Sequence, residues 1–179
     1  MSFKNFARTF FGCKSKNTLP AGAAAPPISL TSLDGQTLIL AEALKTGPVL
    51  AAFFKVSCPT CQFTFPFLQR LYETYGGGNV TFWAISQNDA EDTHEFLDKY
   101  GVKFPVLLDD PGYPASNAYG LTNVPTIFLI APDGKIQMSS VGFAKADIEK
   151  IAAEAARATG QLVNSVFTAG EKIPECKPG

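Results

Sequence analysis

The sequence predicts an α/β fold with a mixed central sheet flanked by helices on both faces. Three observations predict it. Short apolar runs rich in strand formers alternate with segments of helical spacing from about residue 48 to residue 119. Two further strand-like runs, joined by a turn, precede a final helix and add an antiparallel end to the sheet. The chain has 179 residues and is 46% hydrophobic, enough for one domain with a sizeable core.

The elements read in order as follows. Ile28-Ser29-Leu30-Thr31 and Thr37-Leu38-Ile39-Leu40 flank the turn dipeptide Asp34-Gly35 and form an N-terminal hairpin. Residues 48–54 (Pro-Val-Leu-Ala-Ala-Phe-Phe) read as a buried strand. A helix follows from about Cys58 to Tyr75 and ends at Gly76-Gly77-Gly78. Pro66 falls inside that helix and should kink it, since it removes a backbone donor. Residues 80–85 read as a buried strand, and Ala90 to Tyr100 as a helix closed by Gly101. Residues 104–108 form another short strand, and a helical turn fits between Tyr113 and Tyr119. Residues 126–130 and 135–138 surround Pro132-Asp133-Gly134 as an antiparallel hairpin, and a last helix spans about Lys145 to Thr159.

This divides the chain into a basic, aromatic segment with a linker (1–27), a folded domain (28–159) and a C-terminal tail (160–179) expected to be loosely attached. The linker assignment rests on the Ala, Pro and Gly of residues 17–27. Residues 1–16 carry Lys4, Arg8, Lys14 and Lys16, no acids, and Phe3, Phe6 and Phe10 at helical spacing. The simplest reading is a frayed or docked helix. The alternative is contact with an anionic membrane surface, which acylation of Cys13 would assist. No run reaches the roughly 18–20 apolar residues of a membrane-spanning helix, and the start lacks a secretory pattern. The expected location is therefore cytoplasmic, with peripheral membrane contact as the alternative, and the expected state is a monomer. The net charge of −1 gives no reason to expect nucleic acid as a partner.

The chemistry concentrates at Cys58-Pro59-Thr60-Cys61, where the strand of residues 48–54 gives way to a helix. Two thiols separated by two residues at such a junction are placed for electron exchange. Cys58 stands at the helix N-terminus, where unpaired N–H groups and the helix dipole stabilise negative charge. Pro59 suits the first helical turn. Cys61, one turn further in, is placed to attack a disulfide formed on Cys58. Asn123-Val124-Pro125-Thr126 stands directly before a strand. Taken alone, Pro125 reads as an ordinary strand-initiating proline; a cis Val124–Pro125 bond would instead expose Val124 as an edge for a substrate peptide.

Together these residues resemble the thioredoxin-like superfamily over most of residues 28–157. The resemblance is carried by Phe53-Phe54, Cys58-Pro59-Thr60-Cys61, Pro66, Tyr119-Gly120, Val124-Pro125-Thr126 and Val141-Gly142-Phe143, in order and spacing. The N-terminal hairpin and the central insertion Ser86 to Asp110 look like the TlpA/ResA/CcmG and AhpC/TSA branch. The resemblance implies a thioredoxin fold over 28–159, a nucleophilic Cys58, a resolving Cys61, a cis Pro125 and no cofactor. It implies protein thiols or disulfides as substrates and a dithiol as electron donor or acceptor. Three usual helpers are missing. Ser57 replaces a Trp, while Ala52 and Thr64 stand where relatives carry an acid. Lys55 reads as a solvated lysine.

The nearest rival is a peroxidase of the same branch. Peroxiredoxins place Pro seven residues and Thr or Ser three residues before the peroxidatic cysteine. Those places hold Ala51 and Lys55 before Cys58, and Phe54 and Cys58 before Cys61. Zinc or haem has little support: there is one CxxC pair, Cys13 and Cys176 are remote, His94 is the sole histidine, and Gln62 follows the second cysteine. A third reading keeps the fold as a non-catalytic binding module, with Phe63, Phe65 and Phe67 as a docking surface; core packing explains those residues more simply. Glu91, Asp92, Asp109 and Asp110 read as surface solvation, and Cys176 as a spare or partner-linking thiol.

Overall fold

Strand β3 (Val49–Phe54) is buried along its whole length and forms the centre of the structure. The computed structural model describes residues 18–179, so the basic segment 1–16 and Cys13 lie outside the described residues. Around β3, the hairpin β1 (Ser29–Ser32) and β2 (Thr37–Ile39), then β4 (Thr81–Ser86), β5 (Val106–Leu108), β6 (Thr126–Ile130) and β7 (Ile136–Val141) make one sheet. Its order is β2-β1-β5-β4-β3-β6-β7. β3, β4 and β5 run parallel, whereas β6 pairs antiparallel with β3 and with β7, and β1 antiparallel with β5 and with β2. The sheet is mixed, as expected.

Alternation along β3 builds two cores, because successive side chains point to opposite faces. Leu50, Ala52 and Phe54 join a cluster with Phe65, Leu68 and Leu71 of α2 (Pro59–Tyr75), Phe96 of α3 (Ala90–Tyr100) and Ile148 and Ile151 of α5 (Lys145–Thr159). Val49, Ala51 and Phe53 join the opposite cluster with Leu40 of α1 (Leu40–Ala43), Ala115 of α4 (Pro114–Ala118) and Tyr119. Phe65 and Phe67 are buried in the first core, and Phe63 is partly buried against it. The central insertion supplies α3 and β5, and β5 joins the sheet between β4 and β1. Pro66 lies within α2 without ending it.

Three expectations need correction. Residues 18–27, expected as a linker, are fastened to the sheet: Gly22 N–H donates to Ile136 O (2.8 Å), Ala25 N–H to Gly134 O (2.9 Å), and Tyr119 Oη to Pro26 O (2.9 Å). Backbone groups of this path make these contacts, while Leu19, Ala23 and Ala25 pack against the core cluster that holds Val49, Ala51 and Phe53. Asp109 is not a surface acid. It is 1% exposed, and its carboxylate accepts from Ala115 N and Ser116 N at 2.8 Å each, satisfying free donors at the start of α4.

The segment after Gly160, expected to be loosely attached, wraps back over α2. Tyr75 Oη donates to Leu162 O and accepts from Asn164 N. Arg70 grips the Glu171 carboxylate with two hydrogen bonds (2.9 and 2.7 Å), and Phe167 packs on Phe67. The segment ends in β9 (Cys176–Lys177), paired antiparallel with β8 (Phe143–Ala144).

Candidate active site

The register of β3 against β6 places the dithiol. Phe53 opposes Thr126, so the loop leaving β3 and the loop entering β6 emerge side by side. Thr126 in turn opposes Val141, which brings Gly142 to the same edge. Three loops distant in sequence thus meet beyond one end of the sheet.

Cys58 is the N-cap residue of α2, with extended backbone, and Pro59 occupies the first turn. Its half-buried Sγ accepts from Cys61 N–H at 3.2 Å and donates to Val124 O at 3.2 Å. A helix N-terminal N–H is thereby aimed at the sulfur. Cys61 is completely buried. Burial first, and then the hydrogen bond with Cys58, push its thiol well above the ordinary range. One sulfur meets the surface; the other is held back as a protonated thiol.

The surrounding loops are pinned by further hydrogen bonds. Val56 N–H donates to Asn88 Oδ1 (3.1 Å), and Gln62 Nε2 donates to Val56 O (2.9 Å), so the turn before Cys58 is held from both sides. On the opposite loop, Thr126 Oγ1 donates to Asn123 O (2.7 Å) and Gly142 N–H to Pro125 O (2.7 Å). The Val124–Pro125 bond is cis. Val124 is half-buried and Pro125 buried. Ser57, Pro59 and Lys55 are exposed, whereas Thr60 is buried and donates from Oγ1 to Pro178 O at 2.6 Å.

A sequence model described as Redoxin matches residues 20–156. The chain belongs to the Redoxin family. Among relatives of this Redoxin, the thiol-disulfide oxidoreductase ResA of Halalkalibacterium halodurans is 33% identical over 132 residues, covering 73% of each chain. ResA of Bacillus subtilis is 31% identical over 122 residues, 68% of this chain and 67% of its own. Among solved structures, a thiol:disulfide interchange protein of the thioredoxin family from Chlorobium tepidum superposes with a TM-score of 0.63 at 27% identity, covering 76% of this chain and 97% of its own. A secreted Mycobacterium tuberculosis disulfide oxidoreductase shares the fold, with a TM-score of 0.59 at 22% identity over 73% of this chain and 95% of its own. The fold is the thioredoxin fold, and with its dithiol this Redoxin is a thiol–disulfide oxidoreductase of the ResA type.

His94 is exposed on α3, and among the described residues no group of three or more His, Cys, Asp or Glu is arranged to hold a metal. Ala52 and Thr64, where relatives carry an acid, are buried without an ionisable group, and Thr64 Oγ1 donates to Thr60 O. The positions that would activate a peroxide hold Ala51, buried in β3 and facing away from α2, and the exposed Lys55. Asn88 had no signal in the sequence, because only the paired ends of β3 and β4 bring it to Val56.

Proposed function

We propose that Cys58 is the nucleophile and Cys61 the resolving thiol of disulfide exchange with protein substrates, and that Val124 and Pro125 form the edge on which the substrate chain docks. The observation that carries this reading is the Cys58 sulfur, half-buried between Cys61 N–H and Val124 O, with a deeply buried thiol behind it.

The steps balance as follows. The Cys58 thiolate attacks one sulfur of a substrate disulfide and the other sulfur leaves as a thiolate. Cys61 then loses its proton, for which the released thiolate is an acceptor, and attacks Cys58 Sγ. The second substrate sulfur leaves, the Cys58–Cys61 disulfide forms, and the substrate has gained two electrons. The reverse sequence oxidises a substrate dithiol. Insulin reduction with dithiothreitol tests the reading; absence of turnover together with unreactive Cys58 and Cys61 would favour a binding module instead.

The redox direction follows from the potential of the couple: a value near about −270 mV makes the chain a reductant, and one near about −120 mV an oxidant. The electron partner is accordingly a dithiol donor or a disulfide acceptor, and the working unit is a monomer. Hydroperoxide consumption with a thioredoxin-reducing system tests the peroxidase alternative, for which rapid turnover abolished by Cys58→Ser is the decisive result. We infer that residues 1–16 are a candidate contact with a membrane surface. Among the described residues no helix is long and apolar enough to cross a membrane. Fractionation of the full chain, with Cys58 trapped by alkylation, tests the membrane contact.

A further inference from the structure

The residues that end the segment after α5 lie against the same three loops that surround Cys58. Lys145 N–H donates to Glu175 O at 2.9 Å, and Cys176 and Lys177 pair with Ala144 and Phe143. Lys177 Nζ sits 4.9 Å from the centre of the Phe63 ring. Pro178 O accepts from Thr60 Oγ1, inside the dithiol turn, and Gly179 O accepts from Asn123 Nδ2 at 3.1 Å. The fit is close. A Cβ on Gly142 would stand 2.4 Å from Lys177 O, and one on Gly179 would stand 2.7 Å from Val124 O, the atom bonded to Cys58. Gly142 also has φ +76°, so glycine is needed here for both space and conformation.

We propose that residues 175–179 are a tethered occupant of the peptide edge: they cover Val124 and the Cys58 face, and an extended substrate chain must take their place along Phe143–Ala144 and Val124. The proposal rests on the reading of Val124 and Pro125 as the docking edge. The chemistry of the occupant describes what the edge accepts: backbone for strand addition, a long cationic side chain over Phe63, and a residue without a side chain against Val124. The design favours exchange. β9 contributes only two register pairs, whereas the preceding stretch is held by the Arg70–Glu171 pair, Phe167 and Tyr75. The anchor keeps the occupant at high local concentration, and residues 175–179 can leave the edge without unfolding the rest.

The test compares the full chain with a form lacking residues 175–179 and with Gly179→Val in the intact chain, whose added side chain would meet Val124 O. Two readouts are taken on the reduced proteins: alkylation of Cys58, mapped by mass spectrometry, by a bulky maleimide-polymer and by iodoacetamide; and the KM and kcat of insulin reduction. An edge free one-fifth of the time weakens apparent affinity about fivefold. Both variants should therefore lower the insulin KM by about fivefold, with kcat within about twofold, and speed bulky alkylation relative to iodoacetamide by a similar factor. Should the deletion fail to fold, Gly179→Val carries the comparison alone. An unchanged KM and an unchanged ratio of alkylation rates would overturn the proposal. If no form reduces insulin but the alkylation ratio still rises, the covering segment stands and the redox reading falls.

Discussion

Cys58 Sγ donates to the backbone carbonyl of Val124, 3.2 Å away and 66 residues later in the chain. The contact joins the reacting sulfur to the strand edge, so a peptide hydrogen-bonded at Val124 would present its own sulfur beside Cys58. It also separates the two thiols by role. Cys58 shares its hydrogen with a surface loop, while Cys61 is sealed beneath it.

The separation predicts opposite phenotypes for the two cysteines. Cys58→Ser should abolish exchange, with no mixed disulfide formed. Cys61→Ser should leave the first attack intact and accumulate the mixed disulfide on Cys58, visible as a mass increment on non-reducing gels and lost with dithiothreitol. Accumulation on Cys176 instead would refute the assignment.

Resolution should be the pH-sensitive step. Burial raises the Cys61 thiol above its ordinary value, and only the thiolate attacks. In the chain that keeps Cys61, the rate at which the mixed disulfide on Cys58 is resolved should climb close to tenfold per pH unit through neutrality and past about pH 8.5, where an ordinary thiol would level off. Stopped-flow measurement of single-turnover release checks this; a plateau near neutral pH would count against it.

Stability of the reduced protein should fall in the alkaline range. The folded-state value of Cys61 is raised, so the folded state holds a proton that the unfolded state releases. The contribution is complete below about pH 8.5 and is lost as pH rises further, at no more than about 1.4 kcal/mol per unit. Above about pH 10, Tyr119 adds to the slope, because burial raises its hydroxyl as well. Urea unfolding of Cys61→Ala should lose the part of the slope between these limits.

Asn88→Ala removes the acceptor for Val56 N–H. The expected cost is about 1 kcal/mol in urea unfolding. Because the turn carries Cys58 into α2, the rate of the first attack should drop as well, whereas a merely structural loss would change stability alone.

Asp109→Ala strips both N–H donors of α4 of their acceptor and should cost about 2–3 kcal/mol. Asp109→Asn, which retains one acceptor oxygen, should lose roughly half as much in the same denaturant titration.

Some features were legible in the chain and others were not, for a consistent reason. The β3–dithiol–α2 unit could be read because its signals are local: strand formers, then a cysteine cap, then Pro59 in the first turn. Helices α3 and α5 were read with the bounds the structure has, since apolar spacing and closing residues lie within each segment. Asp109 was misjudged because an aspartate in a loop is usually solvated. Only folding sets two free N–H groups of α4 before it. Residues 18–27 and 161–179 were misjudged likewise, because their partners are backbone groups or single side chains on remote elements. Strands of two residues, such as β8 and β9, have no periodicity to detect.

The sequence by itself determined the fold class, the reacting pair and the order of the loops that serve it, because strand and helix periodicity and the dithiol spacing are short-range properties. Tertiary structure alone decided that Cys61 is sealed and Cys58 is not, that Val124 O faces the Cys58 sulfur, and that residues 176–179 meet Thr60, Asn123, Phe143 and Ala144. Each of these depends on the register of strands paired across tens of residues. Burial, which raises one thiol and covers one face, exists only once those strands have met.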